Sequence, residues 1–121
     1  MKVLNEVKSR GLKIGLASSS VKADILRALE ENHLDGFFDV VLSGEEFKES
    51  KPNPEIYLTA LKHLNVEANQ ALIIEDSEKG IAAGVAAGVE VWAIKDNRFD
   101  MDQGAAKGLL DNLIDVLDLL K

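Results

Sequence analysis

The sequence predicts an α/β fold built on a parallel sheet. Three observations carry this reading. Short apolar runs alternate with segments of helical period, which implies right-handed βαβ units. The apolar runs stop at polar residues, as strands of an open sheet do where a ligand is bound. The chain has 121 residues, the length of one domain, and at 46% hydrophobic it can build a core.

The elements follow in order. Val3, Leu4 and Val7 share a helical face, and Gly11 suits the C-terminal cap. Leu12 to Ala17 is an apolar strand ending in Ser18-Ser19-Ser20. Val21, Ile25, Leu26 and Leu29 give a helical stripe. Phe37 to Leu42 reads as the second strand, and a polar loop, Glu45 to Ser50, leads to Lys51-Pro52-Asn53-Pro54. There Asn53 can cap a helix whose first position suits Pro54. Tyr57, Ala60, Leu61 and Leu64 continue that helix.

Ala71 to Ile74 is the next strand, read as buried, and Glu75-Asp76-Ser77 ends it. A helix follows from about Glu78 to Ala87, in which Gly80 and Gly84 share a face and allow close approach to the sheet. Gly88 ends it, and Glu90 to Ile94 is the last strand expected. Asp96 to Gly108 reads as a polar loop. Leu109 to Leu120 reads as a closing helix with a stripe of Leu110, Leu113, Ile114 and Leu117. There is no internal repeat or low-complexity tract.

Composition excludes several functions. A net charge of −7 argues against nucleic-acid binding, which needs a basic surface. It does not argue against a small phosphorylated substrate, because a metal and one lysine reverse the local field. Cysteine is absent, so neither disulfides nor thiol chemistry is available, which fits a cytoplasmic protein. No apolar run approaches the ~20 residues needed to span a membrane.

Three groups end at one edge of the expected sheet. Ser18 follows a strand and precedes a helix, so its hydroxyl and nearby N–H groups, Ser19 included, can hold a phosphate. Lys51 brings a mobile positive charge. Glu75 and Asp76 are hard oxygen donors suited to Mg²⁺. Together they are the parts that bind a phosphoryl group and neutralise its charge. Each has a plainer reading. Ser20 and Ser18 serve as helix N-caps, Lys51 is solvated, and the acidic pair complements a helix N-terminus.

The ordered recurrence of Leu16-Ala17-Ser18-Ser19-Ser20, Ser50-Lys51-Pro52-Asn53-Pro54-Glu55-Ile56-Tyr57 and Ile73-Ile74-Glu75-Asp76-Ser77-Glu78-Lys79-Gly80-Ile81 resembles the haloacid dehalogenase superfamily. The nearest branch is that of β-phosphoglucomutase and phosphoglycolate-phosphatase-like enzymes. The resemblance implies a three-layer α/β/α, Rossmann-like core over residues 1–121. It implies Mg²⁺-dependent phosphoryl transfer on small phosphorylated metabolites, as a phosphatase or phosphomutase, through an aspartyl-phosphate. Ser18 would bind the phosphoryl oxygens, and Lys51 would pair with nucleophile and phosphate. Asp76, with Glu75 beside it, would hold Mg²⁺ directly or through water. Ser20 and Asn53 would make secondary contacts.

The family's nucleophile lies on a first strand carrying Asp-x-Asp-Gly, and in this branch a helical cap domain follows it. Neither is found in residues 1–121. The chain thus reads as the C-terminal part of such an enzyme, inactive by itself, with an incomplete sheet. Asp100-Met101-Asp102 spells part of the nucleophile motif, but Lys95-Asp96-Asn97-Arg98 precedes it instead of an apolar strand. In the family the first strand lies between the strands ending at Ser18 and Asp76. Three partners would fill that place: a bound N-terminal fragment, direct pairing of the flanking strands, or a second copy of the chain. A truncated, non-catalytic module that binds phosphate, metal or protein is the alternative function. A phosphoacceptor receiver domain fits less well, because it expects its lysine after the acidic pair.

Overall fold

The computed structural model describes residues 2–34, 36–49, 51, 53–94 and 106–110. Helix α1 (Lys2–Ser9) stops at Gly11, whose φ of +77° needs no Cβ. Lys8 Nζ then reaches both carboxylate oxygens of Asp39 at 3.1 Å, and Asp39 Oδ2 accepts the Ile14 N–H at 2.7 Å. This clasp fixes where the first two strands begin. Strand β1 (Gly15–Ser18) starts three residues later than expected, and β2 (Val40–Ser43) likewise starts after Phe37. Asp39 is spent on the clasp, so the parallel ladder opens at Gly15 and Val40 and closes at Ser18 and Ser43.

Helix α2 (Lys22–Glu31) buries Ile25 and Leu29, while Val21 and Leu26 are exposed, so the inward stripe is narrower than the sequence pattern. Helix α3 (Glu55–Leu64) buries Ile56 and Tyr57. The cap position is Pro54, one residue later than expected, and Asn53 Oδ1 accepts the Glu55 N–H at 2.9 Å from just before it. Strand β3 (Leu72–Glu75) leads into α4 (Glu78–Ala86), which is followed by Gly88 at φ +80° and β4 (Glu90–Ile94).

The segment expected to open the closing helix is instead strand β5 (Gly108–Leu110), parallel to β4 from the pair Trp92–Gly108 to Ile94–Leu110. Tertiary contact decides this. Leu110 is buried among Val7, Leu72, Ile74, Trp92 and Ile94. A Cβ on Gly108 would stand 2.3 Å from Trp92 Cζ3, so only glycine lets the chain lie against the indole. Leu113, Ile114 and Leu117 of the expected helix, and the motif Asp100-Met101-Asp102, lie outside the described residues.

Alternation along the strands sorts two faces. Ile73, Val91 and Ala93 pack with Ile81 of α4, while Leu72, Ile74, Trp92 and Ile94 pack with Val7 of α1. Helices thus cover both faces of a parallel sheet, in three layers. Gly84 makes the α4 side close, since a Cβ there would lie 2.6 Å from Val91 Cγ2.

The strands form two separate ladders, β1-β2 and β3-β4-β5. Among the described residues the sheet is thus incomplete between β1 and β3, as expected, and of the three alternatives for that place direct pairing of β1 and β3 is not met. Side chains join the two ladders instead: Ala17, Val40 and Leu42 meet Ile56 and Tyr57 of α3, Ala83 and Ala87 of α4, and Ile73 of β3. All four residues of β3 are half-buried rather than buried, in keeping with its having a ladder partner on one side only among the described residues.

Candidate functional site

The C-terminal ends of β1 and β3 carry Ser18 and Glu75, and Lys51 bridges them. Its Nζ donates to Glu75 Oε2 at 3.0 Å and to the Ala17 carbonyl at 3.4 Å. One ammonium thus holds an edge carbonyl of one ladder and the terminal carboxylate of the other. Both side chains are nearly buried, at 9% and 12% exposure. The sequence places the lysine well: it stands shortly before Pro54, the cap position of α3, so the start of that helix delivers it.

Glu75 is saturated with donors. Its Oε2 accepts from Lys51 and from the Tyr57 hydroxyl at 2.7 Å. Its Oε1 accepts the Asp76 N–H at 3.0 Å and, less closely, the N–H and hydroxyl of Ser77. Burial pushes this carboxyl up, but the Tyr57 hydroxyl and the Lys51 ammonium outweigh burial and hold it down at about 2. Burial raises the Tyr57 hydroxyl, and the Glu75 charge adds to that effect, so it stays a donor. The Lys51 ammonium also lies 5.1 Å from the centroid of the Tyr57 ring, within cation–π range.

The nest around Glu75 needs a glycine. The Ser77 hydroxyl caps α4 by accepting the Gly80 N–H at 3.0 Å, which lays the first turn of α4 over the carboxylate. A Cβ on Gly80 would fall 2.1 Å from Glu75 Cδ.

Asp76 is exposed, one residue beyond the strand. Among the described residues no three acidic, histidine or cysteine side chains gather where they could hold a metal ion. The sequence treats Glu75 and Asp76 as a pair, and the geometry separates them: Glu75 is half-buried and held by Lys51 and Tyr57, and Asp76 is exposed.

The serines are arranged as a turn. Ser18 is half-buried and its Oγ accepts the Ser20 N–H at 3.1 Å, while Ser19 and Ser20 are exposed. Neither Ser18 nor Ser20 caps α2. The cap position is Val21, which has no side-chain acceptor, and the Lys22 N–H goes to Glu45 Oε1 at 2.7 Å. Asn53 commits both ends of its amide within its own loop, to the Glu55 N–H and to Glu49 Oε2.

The structure thus brings Ser18, Lys51, Glu75 and Asp76 to one edge and adds residues absent from the sequence reading as site residues. Tyr57 is the main one. In sequence it is one member of an apolar stripe; the signal was that it alone in that stripe carries a hydroxyl, six residues after Lys51. Ser77 is another, marked by its position after the acidic pair. Chemically, the edge offers a hydroxyl for an anion, a fixed ammonium, and an exposed carboxylate for a cation.

Residues 1–94 match the family model described as haloacid dehalogenase-like hydrolase. The chain is 36% identical over 107 residues to the phosphorylated carbohydrates phosphatase of Thermotoga maritima, covering 84% of this chain and 50% of that protein. It is 28% identical over 121 residues to pyrophosphatase PpaX of Bacillus cereus, covering 97% of this chain and 56% of that one. Among solved structures it matches CbbY from Rhodobacter sphaeroides in complex with phosphate, with a TM-score of 0.85 at 28% identity, over 95% of this chain and 53% of that one. The chain spans about half the length of these relatives.

Proposed function

Because the chain belongs to the haloacid dehalogenase-like hydrolase family, we propose that its full-length protein transfers phosphoryl groups of small phosphorylated metabolites, as a phosphatase or phosphomutase. The observation that carries this is the bridge made by Lys51 between Ala17 of β1 and Glu75 of β3. It fixes one positive charge beside Ser18, at the strand ends where ligands of parallel sheets bind. The relatives named phosphatase and pyrophosphatase support the reaction class.

The roles divide as follows. An ammonium has three N–H groups; Glu75 and Ala17 take two, and the third serves the transferring phosphoryl oxygen. Ser18 donates its hydroxyl to a second phosphoryl oxygen while its Oγ accepts from Ser20. Glu75 holds the lysine in place. The attacking carboxylate comes from the other half of the full-length protein, on a strand between β1 and β3, where both ladders present an edge unshared among the described residues.

The donor chemistry here fits Mg²⁺ as one part of a shared site. Magnesium keeps several waters and needs only one or two carboxylates. Asp76 would supply one, being hard, exposed and at the strand end; Glu75, filled by protein donors, would act through water. The ion would offset charge on the phosphoryl oxygens and orient them.

The test uses the full-length protein with a panel of phosphorylated sugars, pyrophosphate and p-nitrophenyl phosphate. Turnover should need Mg²⁺ and stop with chelator. Lys51→Ala and Asp76→Ala should each lower kcat/KM by about 10²-fold or more, the scale on which a transition-state charge contact acts. Unchanged turnover in the Asp76→Ala protein removes the metal assignment.

A further inference from the structure

Ser43 is the one fully buried polar residue among the described residues, at 0% exposure. A buried hydroxyl persists only where it is hydrogen-bonded. Its Oγ donates to the Ser20 carbonyl at 2.6 Å and accepts the Glu45 N–H at 3.2 Å. Ser43 ends β2 and opens a short 3-10 turn, Gly44–Glu46, whose Glu46 carboxylate reaches back to the Ser43 N–H at 2.6 Å.

The other contacts of this turn lead to the same loop. Glu45 Oε1 accepts the Lys22 N–H at 2.7 Å, which supplies the N-terminal cap that α2 lacks from its own serines. The Lys22 ammonium returns to the Val41 carbonyl at 2.6 Å and to Glu46 at 3.4 Å. Gly44 lies against Ser19, where a Cβ would stand 3.3 Å from the Ser19 Cα. The turn therefore grips the loop at Ser19, Ser20 and Lys22.

We propose that the Ser43–Glu46 turn sets the geometry of the Ser18–Ser20 phosphate loop, with Ser43 and Glu45 as its positioning residues. The inference rests on the phosphate-binding reading of Ser18 given above. The peptide plane supplies the mechanism. A carbonyl and the N–H of the same peptide point in opposite directions. Drawing the Ser20 carbonyl to Ser43 therefore turns the Val21 N–H away from the turn. Glu45 takes the next N–H, that of Lys22. The loop is then held from beneath, and the Ser18 hydroxyl keeps one orientation through its bond to the Ser20 N–H. Preorganisation of this kind matters because small misplacements at a reacting centre are costly.

The experiment uses the full-length protein and inorganic phosphate as the probe. Inhibition by phosphate and the KM for p-nitrophenyl phosphate are measured in the wild type, Ser43→Ala, Glu45→Ala, Glu45→Gln and Ser18→Ala, with thermal midpoints alongside. A merely structural role lowers the folded fraction, and so the amplitude, but leaves KM and the phosphate inhibition constant of the folded molecules unchanged. Positioning raises both. Ser43→Ala and Glu45→Ala should weaken phosphate on the order of 10-fold, within the range that misplacement produces. Glu45→Gln keeps an acceptor for the Lys22 N–H and should restore most of the loss. Glu45 is exposed, so its variants fold even if Ser43→Ala does not. If Ser18→Ala weakens phosphate while Glu45→Ala does not, the turn has no positioning role. If Ser18→Ala itself changes nothing, the phosphate-loop reading fails first and this inference falls with it.

Discussion

Replacing Gly80 by alanine should be destabilising, against the ordinary rule for helices. Within a helix, Gly→Ala gains up to about 1 kcal/mol from propensity alone. Here the new Cβ would lie 2.1 Å from Glu75 Cδ, 2.2 Å from its Oε2 and 2.5 Å from its Cγ. A free side chain would swing aside at little cost. Glu75 is not free, because Tyr57, Lys51, Asp76 and Ser77 all hold its carboxylate. Moving it leaves the Lys51 ammonium, only 9% exposed, without its anion. Breaking a buried pair by losing one partner costs about 3–5 kcal/mol. Subtracting the propensity gain leaves a net loss of about 2–4 kcal/mol.

A double-mutant cycle isolates the cause. Unfolding by urea, followed by circular dichroism, is measured for the wild type, Gly80→Ala, Glu75→Ala and the double variant. With Glu75 cut back, the alanine meets no carboxylate, so Gly80→Ala in that background should be neutral or stabilising by up to about 1 kcal/mol. Equal destabilisation in both backgrounds would refute the reasoning, since the strain would then lie elsewhere on α4. A neutral or stabilising Gly80→Ala in the wild type would refute it more directly.

Three further outcomes follow from the same geometry. Glu75 has its folded-state pKa depressed from 4.5 to about 2, so it contributes stability above its unfolded value that is lost as pH falls toward 2. Stability should therefore fall between about pH 5 and pH 2 more steeply in the wild type than in Glu75→Gln, and equal slopes would contradict the depression. Tyr57→Phe keeps the ring beneath Lys51 but removes a hydrogen bond to a charged oxygen, so it should cost about 1.5–3 kcal/mol in the same urea assay. His33 sits at φ +58°, just past α2, where glycine is unstrained. His33→Gly should raise the thermal midpoint by a few degrees, given a strain of about 1 kcal/mol, and a lowered midpoint would mean the imidazole makes a contact worth more than the strain.

Much of the site was legible because strand ends announce themselves. Apolar runs stop at Ser18 and at Glu75, and the sheet topology must bring the ends of parallel strands to one edge. Lys51 could be placed because Asn53 and Pro54 mark the start of α3 so clearly. The serines were legible as a loop but not as a turn. Their N-cap reading failed because Glu45, more than twenty residues away in sequence, supplies the acceptor that α2 needs.

Sequence by itself determined the α/β class, the order of elements through β4 and the family, and it proposed Ser18, Lys51, Glu75 and Asp76 as site residues. These depend on local periodicity and on residue types at element ends, which a linear pattern carries. Tertiary structure alone decided three things. It turned Gly108 to Leu110 into a strand, because the edge of β4 and the face of Trp92 outweighed a helical period. It joined the two ladders, on either side of the gap the sequence already implied, through Lys51 and through side-chain packing of α3 and α4. And it made Glu75 an anchor for Lys51 and Tyr57 rather than the twin of Asp76, because successive residues leaving a strand point to opposite sides, so the Glu75 carboxylate reaches Lys51 and Tyr57 while Asp76 is exposed.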